Sequence, residues 1–363
     1  MDINFETTDH LMQDAVAQRI FPGAVLLVAD QGRVVFHSAY GMADLFSRRP
    51  ATQDTLFDLA SLTKPLVTTL VVMQLVRQGE MVLDHPCRHY WPSFQGLGKE
   101  KITIRHLLSH SSGLPAWRPY YLRLRHYPSV RRMALLQQWV LEEPLGTAPG
   151  LRAEYSDIGF MVLQWVIEHI MQQTLDVAYK NLILAPLQLQ GLLFVDLSNK
   201  TPQAPQYPFA ATEFCSWRNR LIVGEVHDDN AYVMGGIAGH AGLFGTSTAV
   251  FTVLQILLSA EQGNFSHPLF SQSLLRTFFQ CQPEGTWALG FDTPSQGGSS
   301  AGRYFSAQSV GHLGYTGTSF WVDRKEGVLV VLLTNRVHPS RSDQRIRQFR
   351  PVIHDCVRSA IGH

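Results

Sequence analysis

The chain has 363 residues, 45% of them hydrophobic and 16% charged, so it can bury a sizeable core and is less charged than an average globular protein. Thirty basic against twenty-nine acidic residues leave a net charge of +1, which gives no global field to draw nucleic acid or an anionic membrane. Cys87, Cys215, Cys281 and Cys356 lie far apart with no Cys-x-x-Cys pair, so reduced thiols are expected rather than metal ligands or disulfides.

The opening Met1-Asp2-Ile3-Asn4-Phe5-Glu6 lacks the basic start and apolar run of a secretory signal. The apolar stretch 65–76 falls short of the ~18–20 residues of a spanning helix, so a cytoplasmic location is expected. Residues 9–19 have amphipathic helical spacing, and 24–29 and 33–38 are β-rich runs around the turn Asp30-Gln31-Gly32, a hairpin signal. Helical apolar spacing then recurs at 64–77, 104–108, 131–141, 157–171, 175–184 and 248–260. Two long Pro-, Gly- and Ser-rich stretches, 198–229 and 282–309, read as irregular. A second hairpin follows at 318–322 and 328–334, and a closing helix at 342–361. The expected class is α/β (α+β): an antiparallel sheet built from both terminal segments and flanked by helices, with a mostly helical region inserted. Residues 1–57 and 286–363 would form the sheet region and 58–285 the helical one, together a single catalytic unit.

Three short motifs carry chemistry. Ser61-Leu62-Thr63-Lys64 opens a helix, with Pro65 where a proline is tolerated. Three residues apart, serine and lysine share a face, and the free N–H groups of a helix start favour developing negative charge. A hydroxyl needs a nearby base, which an amine supplies if desolvation lowers its proton affinity. Tyr155-Ser156-Asp157 follows Pro149-Gly150 at another helix start; a phenol is a usable base only beside cations, and Lys64 is the candidate. Tyr179-Lys180-Asn181 has similar letters but sits in mid-helix. Gly311-His312-Leu313-Gly314-Tyr315-Thr316-Gly317-Thr318 enters the C-terminal hairpin. Its glycines would let a ligand approach an edge strand whose N–H groups, with that of Ser61, could hold an oxyanion.

These motifs, with Leu107-Leu108-Ser109-His110-Ser111-Ser112-Gly113-Leu114-Pro115, resemble the class C β-lactamase, penicillin-binding protein and serine esterase family from about Phe21 to Asn335. The resemblance implies a sheet flanked by helices, a mostly helical second region and an acyl-enzyme on Ser61. It further implies Lys64 as proton partner, Tyr155 as general base and acid, and an oxyanion hole from the N–H groups of Ser61 and Tyr315. His312-Leu313-Gly314 then stands where β-lactamases have Lys-Thr-Gly, with Thr316-Gly317-Thr318 continuing the strand; another register would place Tyr315-Thr316-Gly317 there. Asp157, His312, Gly314, Thr316 and His240 are the candidate substrate contacts.

Two departures bear on the substrate. Asp157 stands where β-lactamases carry asparagine, and an ionised aspartate accepts but does not donate. His312 replaces a lysine and is neutral near pH 7 unless a partner such as Asp157 raises its pKa. Both argue for a small-molecule carboxylic ester or small amide over a β-lactam. A true β-lactamase, a D-amino-acid peptidase and a non-turnover acyl-binding sensor are the alternatives. No metal or organic cofactor is expected: His227-Asp228 has no further ligand at metal spacing, and no Gly-rich phosphate loop follows a strand. Neither nucleic acid nor membrane is an expected partner. Between Lys101 and Leu141 there is no acidic residue; the segment reads first as a solvated loop and helix face, and the second reading has Arg118 and Arg123 rim the cleft and meet an anionic or aromatic acyl group.

Overall fold

The computed structural model describes residues 4–198, 208–264 and 267–362; the first three residues of the N-terminal stretch and part of the 198–229 segment lie outside the described residues. The main sheet contains β1 (Gly23–Asp30), β2 (Arg33–Asp44), β3 (Arg49–Pro50), β4 (Val310–Leu313), β5 (Ser319–Asp323) and β6 (Val328–Thr334). Their order is β3-β2-β1-β6-β5-β4, every neighbouring pair antiparallel. The two most apolar strands take the centre. β1 (GAVLLVAD) and β6 (VLVVLLT) pair from Ala24↔Thr334 to Asp30↔Val328. Strands buried on both faces need continuous apolar sequence, and each Val or Leu so covered contributes about 2 kcal/mol.

Helices cover both faces. Leu26, Val28, Val330 and Leu332 pack with Met12 of α1 (Glu6–Ala17) and with Ile353 and Val357 of the C-terminal helix Ile346–Ile361. The alternate set, Val25, Leu27, Leu329 and Val331, joins a larger core with the helices Asp157–Met171 and Ser247–Gln262. Asp157–Met171 is apolar on nearly all sides and therefore lies inside the protein. Its start is fixed by Ser156, whose Oγ accepts the Gly159 N–H at 3.1 Å.

The antiparallel sheet built from both termini matches expectation; several details do not. The segment 198–229 contains a hairpin, Ala211–Cys215 with Arg220–Val223, whose short alternating runs are masked by surrounding Pro and Gln. Among the described residues three further α-helices go beyond the expected set: Tyr121–Leu124, Asp229–Val233 and Gln272–Phe279. Residues 64–69 and 180–184 are π-helical rather than α-helical. Residues 316–318 do not continue a strand: β4 ends at Leu313 and β5 begins at Ser319, so they form the turn between them. That turn, at the open edge of the sheet, faces the segment that carries Ser61.

Candidate active site

Ser61 sits on a sharp bend. Phe57–Asp58 pairs with Leu243–Gly245 and ends just before Ala60, which holds a left-handed backbone at φ 48°. That conformation costs an alanine about 1–2 kcal/mol. The buried Asp58 carboxylate offsets it by accepting the Ala60 N–H at 2.8 Å, while its other oxygen accepts the His227 N–H at 2.6 Å. A single 3-10 turn, Ala60–Leu62, follows; Ser61 lies in its first turn, where an N–H has no acceptor within the helix. The bend thus presents both the hydroxyl and the N–H of Ser61.

Lys64, wholly buried, spends its three donors on Ser61 Oγ at 3.0 Å, Asp157 Oδ1 at 2.7 Å and the His240 carbonyl at 3.1 Å. Burial alone would pull its pKa down, but Asp157 and Tyr155 more than reverse this and hold the ammonium above its ordinary value. The condition set from sequence for an amine base, desolvation lowering its proton affinity, is opposed in the resting site. Asp157 is the reason, and its carboxylate is engaged with Lys64 instead of standing free for a substrate.

Tyr155 completes the group, its ring 4.8 Å from Lys64 Nζ. Burial outweighs the opposing pull of the Lys64 charge, and with Asp157 adding to it the phenol is held up at about 12. The resting site therefore holds a neutral hydroxyl, an ammonium and a neutral phenol. His110 and Trp287 pack on the Tyr155 ring with centroids 4.6 and 5.4 Å away. His110 Nδ1 accepts the Ser156 N–H at 3.0 Å, which fixes the residue before Asp157.

The His312 ring lies 6.1 Å from that of Tyr155, buried and neutral. Burial and then the Lys64 charge hold its pKa at about 3, and Nδ1–H donates to the Leu313 carbonyl at 3.0 Å. Asp157 does not raise it, because that carboxylate is paired elsewhere. Nε2 therefore faces its surroundings as an acceptor with no partner among the described residues.

The turn after β4 is tied to the Ser61 bend. Thr316 Oγ1 donates to the Asp58 carbonyl at 2.7 Å, and Thr318 Oγ1 to the Leu59 carbonyl at 3.1 Å. Thr316 is buried in this role, so its hydroxyl positions the bend rather than meeting a substrate. A Cβ on Gly314 would stand 1.9 Å from Thr318 Oγ1 and 2.8 Å from the Leu59 carbonyl oxygen, so the glycine there serves close packing of turn on bend. The Tyr315 N–H has no backbone acceptor among the described residues, and Tyr315 and Ser61 line one cavity. His240 contributes its carbonyl to Lys64, while its ring binds Asp228 at 3.0 Å and is turned away. Neither arginine expected at the rim is free: Arg118 pairs with Glu143 at 3.3 Å, and Arg123 lies 3.9 Å over the Trp139 ring. Among the described residues no group of three or more His, Cys, Asp or Glu side chains is gathered as metal ligands. None of the helices there is long and apolar enough to cross a membrane.

A cavity of about 400 Å³ opens before Ser61, Tyr155 and His312. Sequence reasoning missed much of its wall: Trp287, Asp292, Arg336, Arg347 and Arg350. The one signal for it in the sequence is the pair of arginines three apart on the closing helix. Arg336 and Arg350 are buried, bonded to backbone carbonyls of Tyr315, Arg341 and Asp343, and of Gly314 and Thr318, respectively. Burial and mutual repulsion with Arg347 lower the pKa of both. Asp292, whose carboxyl accepts the Thr293 N–H at 3.0 Å, is pushed up to about 7 by burial.

A bent strand-to-helix turn bearing serine, a lysine one turn on and a tyrosine just ahead of a second helix define a serine hydrolase of the acyl-transfer type. The chain belongs to the Beta-lactamase family, whose model matches residues 8–353. It is similar to the N-acetylmuramyl-L-alanine amidase of Bacillus subtilis (strain 168), at 33% identity over 88% of this chain and 78% of that protein. In fold it resembles EstCE1, described as a hydrolase with promiscuous acyltransferase activity (TM-score 0.75, 21% identity, 96% of this chain and 97% of that one). Simvastatin synthase (LovD) from Aspergillus terreus has the same fold, with TM-score 0.73 and 20% identity over 98% of each chain. The protein is a β-lactamase-fold serine hydrolase.

Proposed function

We propose that this hydrolase cleaves a carboxamide through an acyl-enzyme on Ser61 and releases an amino-acid or peptide leaving group that carries a carboxylate. The observation that carries the reading is the joining of two features in one cavity. Ser61 Oγ lies 3.0 Å from Lys64 Nζ beside Tyr155, and the cavity beyond is walled by Arg336, Arg347 and Arg350. None of the three arginines forms an ion pair among the described residues; Arg336 and Arg350 are buried and Arg347 is exposed, and a buried guanidinium without a counter-charge favours an anionic ligand. The similarity to an amidase supports an amide over an ester.

In this mechanism one proton first leaves the coupled Lys64–Tyr155 pair, since both hold theirs at rest. Ser61 Oγ then attacks the carbonyl carbon and passes its proton to the pair. The developing oxyanion takes the N–H groups of Ser61 and Tyr315. As the C–N bond breaks, Tyr155 returns the proton to the leaving nitrogen, and the freed amine departs. Water, activated by the same pair, attacks the ester and restores Ser61. The engaged Asp157 and neutral His312 offer a β-lactam neither an amide donor nor a fixed cation at those positions.

The test is a panel with one acyl group on an amino-acid leaving group, its carboxamide analogue, a p-nitrophenyl ester and a cephalosporin. The acid should exceed the carboxamide analogue in kcat/KM by about tenfold, the worth of one charge-assisted hydrogen bond. Equal rates for acid and carboxamide would remove the arginine wall from the account. Preference for the cephalosporin would make the protein a β-lactamase.

A further inference from the structure

One motif of the sequence, His227-Asp228, has no part in the chemistry above, yet the structure sets it against the Ser61 bend. His227 is buried, and its backbone N–H donates to Asp58 Oδ2 at 2.6 Å. The other oxygen of that carboxylate accepts the Ala60 N–H at 2.8 Å, while the Asp58 carbonyl accepts Thr316 Oγ1 at 2.7 Å. The His227 ring reaches the turn itself, stacking on the Tyr315 ring with centroids 5.8 Å apart and planes at 21°. His227 thus touches Tyr315 directly and the Ser61 bend through Asp58.

Tyr315 needs such a support. It is 46% exposed, so core packing alone does not fix its ring. Two groups lie over that ring, the His227 imidazole and the Arg336 guanidinium, whose Cζ is 4.6 Å from the centroid. Offset rings at this separation attract beyond the area they cover. With the ring held and Thr316 tied to Asp58, the Tyr315 N–H is fixed from its own side chain and from the next residue. His227 is itself anchored along the chain. The buried Arg218 donates to the Val226 and His227 carbonyls at 2.8 and 3.0 Å. Asp228 accepts the Ala231 N–H at 2.7 Å, which caps Asp229–Val233, and binds the His240 ring at 3.0 Å. His227 Nε2 lies 3.5 Å from Glu213 Oε2. A support this firmly held keeps a donor in place, with no reorganisation as charge develops.

We propose that His227 is a positioning residue for acyl transfer: it stacks on Tyr315 and ties it through Asp58 to the Ser61 bend, so that the two N–H groups keep one spacing as the oxyanion forms. This rests on the oxyanion role given above to the Ser61 and Tyr315 N–H groups. His227 touches no reacting atom; its ring face and its backbone N–H supply the effect, and its proton takes no part. Loss of the ring face removes one support of Tyr315. The transition state then suffers more than substrate binding does, because only the developing oxyanion needs both donors at their fixed spacing.

The experiment compares an activated aryl ester with its thiono analogue, in which sulfur replaces the carbonyl oxygen. Sulfur is larger and a weaker acceptor, so two donors at a fixed spacing reject it. Corrected for the rates of both with hydroxide, kcat/KM of the parent should favour the ester by about a hundredfold or more. His227→Leu and His227→Gln remove the ring and keep the backbone N–H. Each should lower kcat on the ester by about tenfold to a hundredfold with KM little changed, and shrink the ester-to-thiono ratio by about tenfold. His227→Phe restores an aromatic face and should hold the ratio nearer that of the parent. A ratio taken on one preparation cancels any loss of folded protein, and either of the first two substitutions serves if the other fails to fold. A ratio unchanged by the loss of the ring, or lowered as far by His227→Phe, would overturn the positioning role. A parent ratio near unity would remove the two N–H groups from the account and this role with them. No turnover of the ester by the parent removes the hydrolase mechanism itself, whereas turnover with a ratio indifferent to residue 227 removes only the role of His227.

Discussion

Replacing Asp157 by asparagine tests how the site stores its protons. Asp157 Oδ1 lies 2.7 Å from Lys64 Nζ, with the lysine side chain wholly buried and the aspartate 17% exposed. At that separation two unit charges attract by about 6 kcal/mol at an effective dielectric of about 20. Solvent reaching the aspartate reduces this, and about 3 kcal/mol, or about two pH units, is a fair magnitude. The substituted side chain would keep an acceptor for Nζ but remove the charge, so the burial that favours a neutral amine would win. The pair would then lose its first proton at lower pH. Measured on a p-nitrophenyl ester, kcat/KM of the parent enzyme should rise with pH, and in Asp157→Asn the acid limb should move down by at least about one unit. An acid limb that coincides in the two proteins would refute the view that Asp157 keeps Lys64 charged.

Other outcomes follow from the same geometry. Asp292 is raised from 3.8 to about 7, so the folded state binds its proton more tightly than the unfolded state. The sign is fixed: there is no penalty below about pH 4, stability falls as pH rises from 4 to 7, and the loss is complete above. At about 1.4 kcal/mol per pH unit the full cost is about 4 kcal/mol, and the opening to the cavity makes about 2–4 kcal/mol realistic. In urea unfolding, Asp292→Asn should therefore match the parent near pH 4 and exceed it at pH 8; equal pH dependence would show this carboxyl to be ordinary. Gly314→Ala drives a methyl against Thr318 Oγ1 and the Leu59 carbonyl. It should cost about 1–3 kcal/mol of stability and, by shifting the Tyr315 N–H, about 100-fold in kcat; full activity would remove that N–H from the oxyanion hole. Thr316→Val deletes the bond to the Asp58 carbonyl and should lower kcat with little change in KM, because it acts through the Ser61 bend.

The legible parts of the sequence were those with strong local physics. The all-apolar run Val328–Thr334 could only be a buried strand, and the serine-capped, apolar Asp157–Met171 could only be an interior helix. Ser61, Lys64 and Tyr155 were legible as motifs because each stands at, or just ahead of, the start of a helical segment. The rest depended on tertiary approach. Nothing local says that Asp157, 93 positions from Lys64, is its ion-pair partner, or that this reverses the effect of burial on the lysine. Thr316 reads as a ligand contact only if the register places it on a strand, whereas a turn directs its hydroxyl to Asp58. Arg336 and Arg350 resemble surface arginines in sequence, and only the packing of the last helix against the β4–β5 turn buries them.

The whole account turns on which atom receives the acyl group. Rapid quenching with an activated acyl ester, intact-mass measurement and peptide mapping should find a transient acyl adduct on Ser61, absent in Ser61→Ala, with turnover in that variant down by about a thousand-fold or more. An adduct on another residue, or steady-state hydrolysis that survives Ser61→Ala, would contradict it.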